Sequence, residues 1–514
     1  MLSKYSTLTA NFAYTESHEH HQDSTFSSFG GYTNFDLAET NHLKKTFRKI
    51  SPSIKYELNS PKVYIMDEIK VDISRITADN HLNSNGTDII MGQRKRPWHL
   101  QNDLDMIVNS GYTYKVHSFT RWFSDGENMF LPIQQSLQQQ QLLTENSVGT
   151  NIPVGSMTVG MSYSNEYVRG NYNFNGSTSH FSVFTNSISA STQLQISHSR
   201  LNVALPLSIS HTEIPWNSES DKTRLFVSPS AKLFVPLSAL TNVSLSVNYN
   251  ENTIDETVFP KAYYCNYRTQ RYSADRIGWR KQWNTMLSLS YQSVLHLLSW
   301  YFVANASWTK NDHYFNFEYE PSATIVTPVW KDNSQRFFYA VTSLHKTFER
   351  GVSLKSSLNY NRMEMLTAQN GTTDTYKSNV ISLSTNFLWN RISWLSAYYT
   401  LTGNISWYDG NSESQLKSLY NEAEFKVYPI HQLSVGCSVD NQLTELSKGH
   451  YSNNTFLDAS AEYRFSKRLS ISVKATNLLN RKQFVNATRS VLNYNYYSRP
   501  LSGRKVLFGF SFSY

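Results

Sequence analysis

The commonest pattern along the chain is strict alternation of apolar and polar positions. In residues 504–514, Val506, Phe508, Phe510, Phe512 and Tyr514 fall on one side of a pleat, and Gly509, Ser511 and Ser513 on the other. Val243, Leu245, Val247 and Tyr249 alternate with Ser244, Ser246, Asn248 and Asn250 in the same way. So do Val352, Leu354, Leu358 and Tyr360, then Leu205, Leu207 and Ile209, and again Leu469, Ile471, Val473 and Ala475. Their partners are mostly Ser, Thr, Asn, Gln and Lys. Segments of roughly ten residues with a dyad repeat, separated by turn residues, are the signature of a transmembrane β-barrel.

The pattern predicts strands near 4–15, 45–57, 62–75, 98–108, 111–123, 142–151, 154–165, 181–198, 201–212, 222–236 and 240–252. It continues at 281–292, 297–310, 335–348, 351–362, 376–389, 394–408, 416–428, 432–442, 455–466, 469–477 and 504–514. Short turns, such as Tyr428-Pro429-Ile430-His431 and Phe465-Ser466-Lys467-Arg468, alternate with long polar loops near 16–44, 76–97, 124–141, 253–280, 311–334, 363–375 and 478–503. Short turns on one rim and long loops on the other are the habit of outer-membrane barrels. The predicted fold is therefore all-β, a large antiparallel transmembrane barrel of about 20–22 strands with long extracellular loops and short periplasmic turns. A soluble β-sandwich array or β-helix also alternates, but needs no such asymmetry between rims.

Composition strengthens this reading. Only 39% of the 514 residues are apolar and the mean hydropathy is −0.46, which is lean for so large a buried core, whereas 33 tyrosines suit aromatic girdles at two membrane interfaces. No linker or compositional shift divides the chain, so residues 1–514 read as one barrel unit. The best apolar run, 294–306, is broken by His296, Ser299 and Asn305 and falls short of the roughly 20 residues a spanning helix needs.

Charge and motifs add little chemistry. The net charge of +8 is scattered, which gives no reason to expect nucleic acid as a partner. The one tight basic cluster, Arg94-Lys95-Arg96, reads either as a solvated loop or as a contact for phosphate on a lipid head group or ligand. Cys265 and Cys437 are too few for a disulfide framework or a metal site. His18-Glu19-His20-His21 raises a metal site, but position 22 is Gln, so it is not the helical zinc motif, and a polar loop tip is the reading adopted. Gln138 to Gln141 is a polar loop tract. There is no nucleophile elbow, phosphate-binding glycine loop or Cys-x-x-Cys, so no catalytic residue, cofactor or metal is expected and the chain does not read as an enzyme.

Two loops carry residues suited to stacking on sugars or gripping acidic groups. They are Tyr263, Tyr264, Tyr267, Arg268, Arg271, Tyr272 and Trp279 in the first and Tyr314 and Trp330 in the second. The alternative is that these are girdle aromatics and solvated arginines.

Several stretches resemble the TonB-dependent receptors of the bacterial outer membrane, and most closely those with a carboxypeptidase-regulatory-like extension. They are Leu478-Leu479-Asn480-Arg481-Lys482-Gln483-Phe484, Tyr494 through Arg499-Pro500, the final 504–514 strand, Asn266-Tyr267-Arg268, 240–249, 226–233, and the opening 8–14 followed by 43–58. The resemblance implies active import of an external solute, driven through the TonB complex, by a barrel that a plug domain fills. It implies integral placement in the outer membrane, surrounded by its lipid. It also makes Phe510, Phe512 and Tyr514 the signal for the barrel assembly machinery. Because the chain enters a strand almost at once, it resembles the C-terminal barrel of a longer receptor that would supply the signal peptide, TonB contact and plug, with one or two opening strands also missing. The last strand must then close a gapped ring on the strand near Leu8 or keep an unpaired edge. A passive channel, or a surface-binding barrel that transports nothing, are the other functions the pattern allows.

Overall fold

The computed structural model describes the chain except residues 1–4, 30–34, 131–133, 215–221, 254–262, 265–268, 273–277, 321–322, 349–350, 409–414, 448, 467, 490–492 and 513–514. Its described residues form one 30-stranded sheet. The wall begins with Ser6–Phe29, Phe35–Asn59, Val63–Ser84, Trp98–Asn109, Thr113–Phe130, Gln134–Val154, Met157–Phe174, Ser177–Ile196, Ser199–Glu213, Ser230–Pro236 and Thr241–Thr253. It continues through Trp279–Ser293, Leu298–Asn311, Asn333–Phe348, Val352–Gln369, Thr372–Ile392, Leu395–Tyr408, Leu416–Ile430, Leu433–Ser447, His450–Arg464, Leu469–Thr476 and Lys505–Phe512. Each pairs antiparallel with the next. They correspond to the 22 strands that the alternation predicts, with Ser6–Phe29 as the first, except that the expected 222–236 strand is interrupted at 228–229, Lys222–Val227 and Ser230–Pro236 each pairing with Ser199–Glu213.

Period two sorts side chains as expected. One ladder row runs Leu245, Leu287, Ala304, Ala340, Tyr360, Ile381 and Ile405 on the outer face, while the neighbouring row of Ser244, Ser288 and Val303 faces the lumen. Charged side chains at the inward positions of the first strands meet one another in the lumen. Asp72 is buried to 2% and is met by Lys49 at 3.2 Å and Lys70 at 3.7 Å, with Ser51 and His99 also in contact. One outer row breaks the apolar band with Ser118, Asn146, Asn165 and Asn186. These polar groups pair with one another, Ser118 donating to Asn146 at 2.7 Å and Asn146 to Asn165 at 3.1 Å, so their exposure to an apolar surrounding is offset.

The long polar loops differ from expectation. Residues 16–44, 76–97, 124–141 and 363–375 are largely strand, extending the wall above the apolar band. Both faces there are polar, so the alternation that marks a strand is absent although pairing persists. Three of the tips are Asn-Gly turns, with positive φ at both residues: Asn85-Gly86 (48° and 83°), Asn175-Gly176 (48° and 85°) and Asn370-Gly371 (48° and 75°). Such two-residue turns match the twist of the flanking strands. Each of these asparagines also ties its tip to the adjoining strand. Its side-chain oxygen accepts from Ala38 N, Ser136 N or Tyr319 N at 2.7–2.8 Å, and its own N donates to the O of Ala38, Ser136 or Phe317 at 2.9 Å.

The seam is closed only in part. The hairpin of Gln483–Arg489 and Asn493–Pro500 fills the upper gap between the last strands and the first. Asn493–Ser498 pairs with Ser24–Phe29, and Asn454 holds Val485 from the other side, donating to its O at 2.7 Å and accepting from its N at 3.2 Å. Below, among the described residues, Lys505–Phe512 has a ladder only with Leu469–Thr476, and Ser6–Asp23 only with Phe35–Asn59. All eight residues of Lys505–Phe512 are exposed, on both faces, including Leu507 at 54% and Phe508 at 80%. Phe510 and Phe512, expected from the resemblance to be part of an assembly signal, are exposed at this seam, and Tyr514 lies outside the described residues. In a background with Cys265 and Cys437 replaced by serine, a Ser24→Cys/Ser498→Cys pair is expected to form a disulfide on mild oxidation. A Thr15→Cys/Leu507→Cys pair, lower on the same seam, is expected to remain reduced. Gel mobility under non-reducing conditions reads both.

Candidate functional site

The upper lumen holds a cavity of about 720 Å³. Arg280, Gln282 and Asn284 line it from one wall strand and Asn305, Ser307 and Thr309 from the next, all on the inward face. Over it folds a rim hairpin, Tyr314–Tyr319 paired with Thr324–Val329. On one side Thr324–Val326 runs parallel to Thr269–Arg271, and on the other Asn316–Phe317 runs parallel to Ala368–Gln369, so the hairpin is pinned at both flanks.

Its base rests on a buried polar knot. His313 is 4% exposed and accepts through its backbone O from Asn333 Nδ2 at 2.7 Å, while its Nδ1 lies 2.8 Å from Asp312 Oδ1. The imidazole sits 4.6 Å from the Trp330 ring and 5.6 Å, edge-on, from Phe315. The Arg271 guanidinium lies 4.6 Å from the centre of the Phe315 ring, a cation–π geometry. A Cβ at Gly278 would fall 2.6 Å from His313 Nδ1, so only glycine admits the imidazole here. The cavity thus offers amides, hydroxyls and a guanidinium beside aromatic faces.

Of the sequence-predicted ligand residues, the structure brings Arg271, Tyr314 and Trp330 to this roof. Tyr263 and Tyr264 pair through their backbones with Arg271 and Gln270. Tyr272 donates its N to Val326 O at 2.8 Å and is 43% exposed. Trp279 is not part of the cavity. It shares the outer face with Trp283, because both are odd-numbered on one strand, and Lys281 Nζ lies 5.4 Å from its ring centre. Tyr267 and Arg268 lie outside the described residues. The inward amides Gln282, Asn284 and Asn305 were not singled out by sequence, although counting positions from outward Leu287 would have found them.

Lower in the lumen, Asp103, Asp105 and His117 have ligand atoms within 4.8 Å of one another. Asp-x-Asp on a strand places both carboxylates on one face, and the ladder sets His117 opposite Asp105, its Nδ1 2.9 Å from Asp105 Oδ1 and 3.7 Å from Asp103 Oδ1. This is the one group among the described residues whose geometry fits a metal ion. The His18–His21 run is divided by its strand: His18 and His20 point outward, Glu19 and His21 inward.

The basic cluster is divided in the same way. Lys95 turns in to Glu127 at 2.8 Å, beside Asp125. Asp125 Oδ1 is buried with no hydrogen-bond partner, and burial raises its carboxyl above the ordinary range, opposed by Lys95 and assisted by Glu127.

No protein-family model matches the chain, and none of the curated proteins does. Among solved structures the chain is similar to the copper transporter OprC, with TM-score 0.48 and 8% identity over 95% of this chain and 81% of that one. It is also similar to the siderophore receptor PirA of Pseudomonas aeruginosa (0.45, 11%, 94% and 80%) and the ferric-catecholate import receptor Fiu of E. coli K12 (0.43, 10%, 94% and 81%).

Two outcomes are expected. Asn333→Ala removes the tie at the base of the hairpin, and hydrogen exchange of the 314–319 amides should quicken by about tenfold, the scale of one buried hydrogen bond. Asp125→Asn should raise the melting temperature at pH 7 and leave it unchanged at about pH 3. The sign follows from the raised carboxyl: its folded form is favoured when protonated, and that stability is lost as pH rises from the ordinary range through the raised value.

Proposed function

We propose that this chain forms the wall and ligand-receiving rim of a TonB-dependent outer-membrane receptor, which imports an external solute actively. The observation that carries it is the 22-strand wall, apolar without and polar within. Only helices and closed barrels keep backbone groups satisfied in hydrocarbon, and the outer face supplies the apolar band that a barrel needs. Among the described residues no helix is long and apolar enough to cross a membrane. A ring of this number encloses a lumen wide enough for a plug.

The cavity under the Tyr314–Val329 hairpin is the first docking place for the solute in this reading. Its amides, hydroxyls and Arg280 suit a polar solute rich in oxygen, and Phe315 and Phe317 suit stacking against it. The family is assigned from the residues that resemble it, and the solute from the chemistry of the cavity alone.

Purified chain is expected to insert into planar bilayers and raise their conductance, and failure to insert would sink the membrane reading. The whole receptor carrying this barrel should lose solute uptake when a protonophore removes the energy source. Uptake that persists under the protonophore would identify a passive channel.

A further inference from the structure

The outer face of the first strands changes from apolar to cationic across a single step of the ladder. Tyr14, Ile50, Ile73 and Trp98 are directly opposite one another in one continuous row. The next outward row reads Glu16, Arg48 and Arg75, and Arg96 follows Trp98 outward on the adjoining segment. Above it Arg94 shares a row with His18, Lys44 follows in the next row with His20 and Asp79, and His42 and His81 form the row beyond. Five permanent cations, Lys44, Arg48, Arg75, Arg94 and Arg96, stand here against two outward carboxylates, Glu16 and Asp79. All five are exposed. His42 and His81 are opposite one another, and with His20, Lys44, Asp79 and Arg94 they border a groove of about 730 Å³ on this outer surface.

On the far wall the outward lysines at this level have carboxylate partners, Lys310 meeting Asp332 at 3.0 Å. Above Tyr249 and Trp283 the outward row pairs Glu251 with Lys281 at 2.8 Å.

We propose that this surface binds the phosphate groups of an anionic, phosphorylated glycolipid in the surrounding leaflet. Arg48 is engaged by Glu16 at 2.9 Å, but two residues of strand rise only about 6–7 Å, so a phosphate held by Arg75 or Arg96 has its acyl chains against Ile73 and Trp98. A soluble anion would have no use for that apolar row. Guanidinium groups match phosphate oxygens in pairs, and the attraction is strongest beside a membrane surface of opposite sign. The Arg94-Lys95-Arg96 cluster then has two functions: Arg94 and Arg96 face the lipid, and Lys95 anchors the segment through Glu127.

The inference rests on the membrane-spanning reading, and its test separates the two. Chain folded in neutral detergent is titrated with lipid A, a bisphosphorylated glucosamine lipid, with phosphatidylcholine and with inorganic phosphate, and adducts are counted by native mass spectrometry. Lipid A is expected to bind in preference to both others. The exposed triple variant Arg75→Gln/Arg94→Gln/Arg96→Gln should weaken it about a hundredfold, at roughly fivefold for each arginine. Lys310→Gln, outward on the far wall, should leave it unchanged. Equal binding of phosphatidylcholine, equal binding of inorganic phosphate, or an unaffected triple variant would each overturn the proposal. Gel heat-modifiability confirms that the variants are folded. Insertion of the triple variant into pure phosphatidylcholine bilayers tests the membrane reading independently of the lipid site.

Discussion

The structure depends on one requirement: every strand in an apolar surround must find a hydrogen-bonding partner on both edges. In water an unpaired edge is solvated; in hydrocarbon each unmet N–H or C=O costs several kcal/mol. Twenty-one antiparallel ladders meet the requirement between successive wall strands, and the remaining junction between last and first is where it is hardest to meet. The chain handles the upper part by inserting a hairpin, with Asn454 substituting side-chain bonds for a ladder against Val485. The lower part leaves two edges open among the described residues, that of Lys505–Phe512, with Phe508 and Phe510 exposed, and that of Ser6–Asp23.

Once the ladders are fixed, the faces follow from parity alone. A shift of one residue would move every Leu and Phe of a strand into the lumen and every Ser and Asn into the band, so register is strongly specified wherever the band exists. Above the band that constraint is gone, because both faces are polar. Other devices hold register there, and the three Asn-Gly turns are the clearest. Each fixes its own hairpin through positive φ and fastens the neighbouring strand through the asparagine side chain. One residue type thus serves as a turn and as a rivet.

These two regimes explain what the sequence disclosed. All 22 wall strands were legible, because a band flanked by lipid on one side and polar lumen on the other prints alternation on each. The extensions at 16–44 or 124–141 were not, since strands such as Gln134–Val154 begin with glutamines on both faces. The roof of the cavity was legible only as a list of aromatic and basic residues. What joins Arg271 to Phe315, or Asn333 to the backbone of His313, is a set of contacts between separate rim segments, and no local period encodes those. Asp103 and Asp105 were within reach of parity, but His117 joins them only through the ladder between two strands.

The short basic and histidine runs make the same point from the other direction. As a string, Arg94-Lys95-Arg96 is a patch of like charge with no assigned place. On a strand its members separate, one inward to a carboxylate and two outward above Trp98. His18-Glu19-His20-His21 separates likewise, which removes the dense imidazole cluster that its spelling suggests and leaves two histidines per face at most. What such a run can bind is decided by which of its residues share a side, and then by what the ladder puts next to them. For Arg94 and Arg96 the neighbours are Arg48 and Arg75 on adjoining strands, one row above an apolar boundary, a combination that no four-residue window contains.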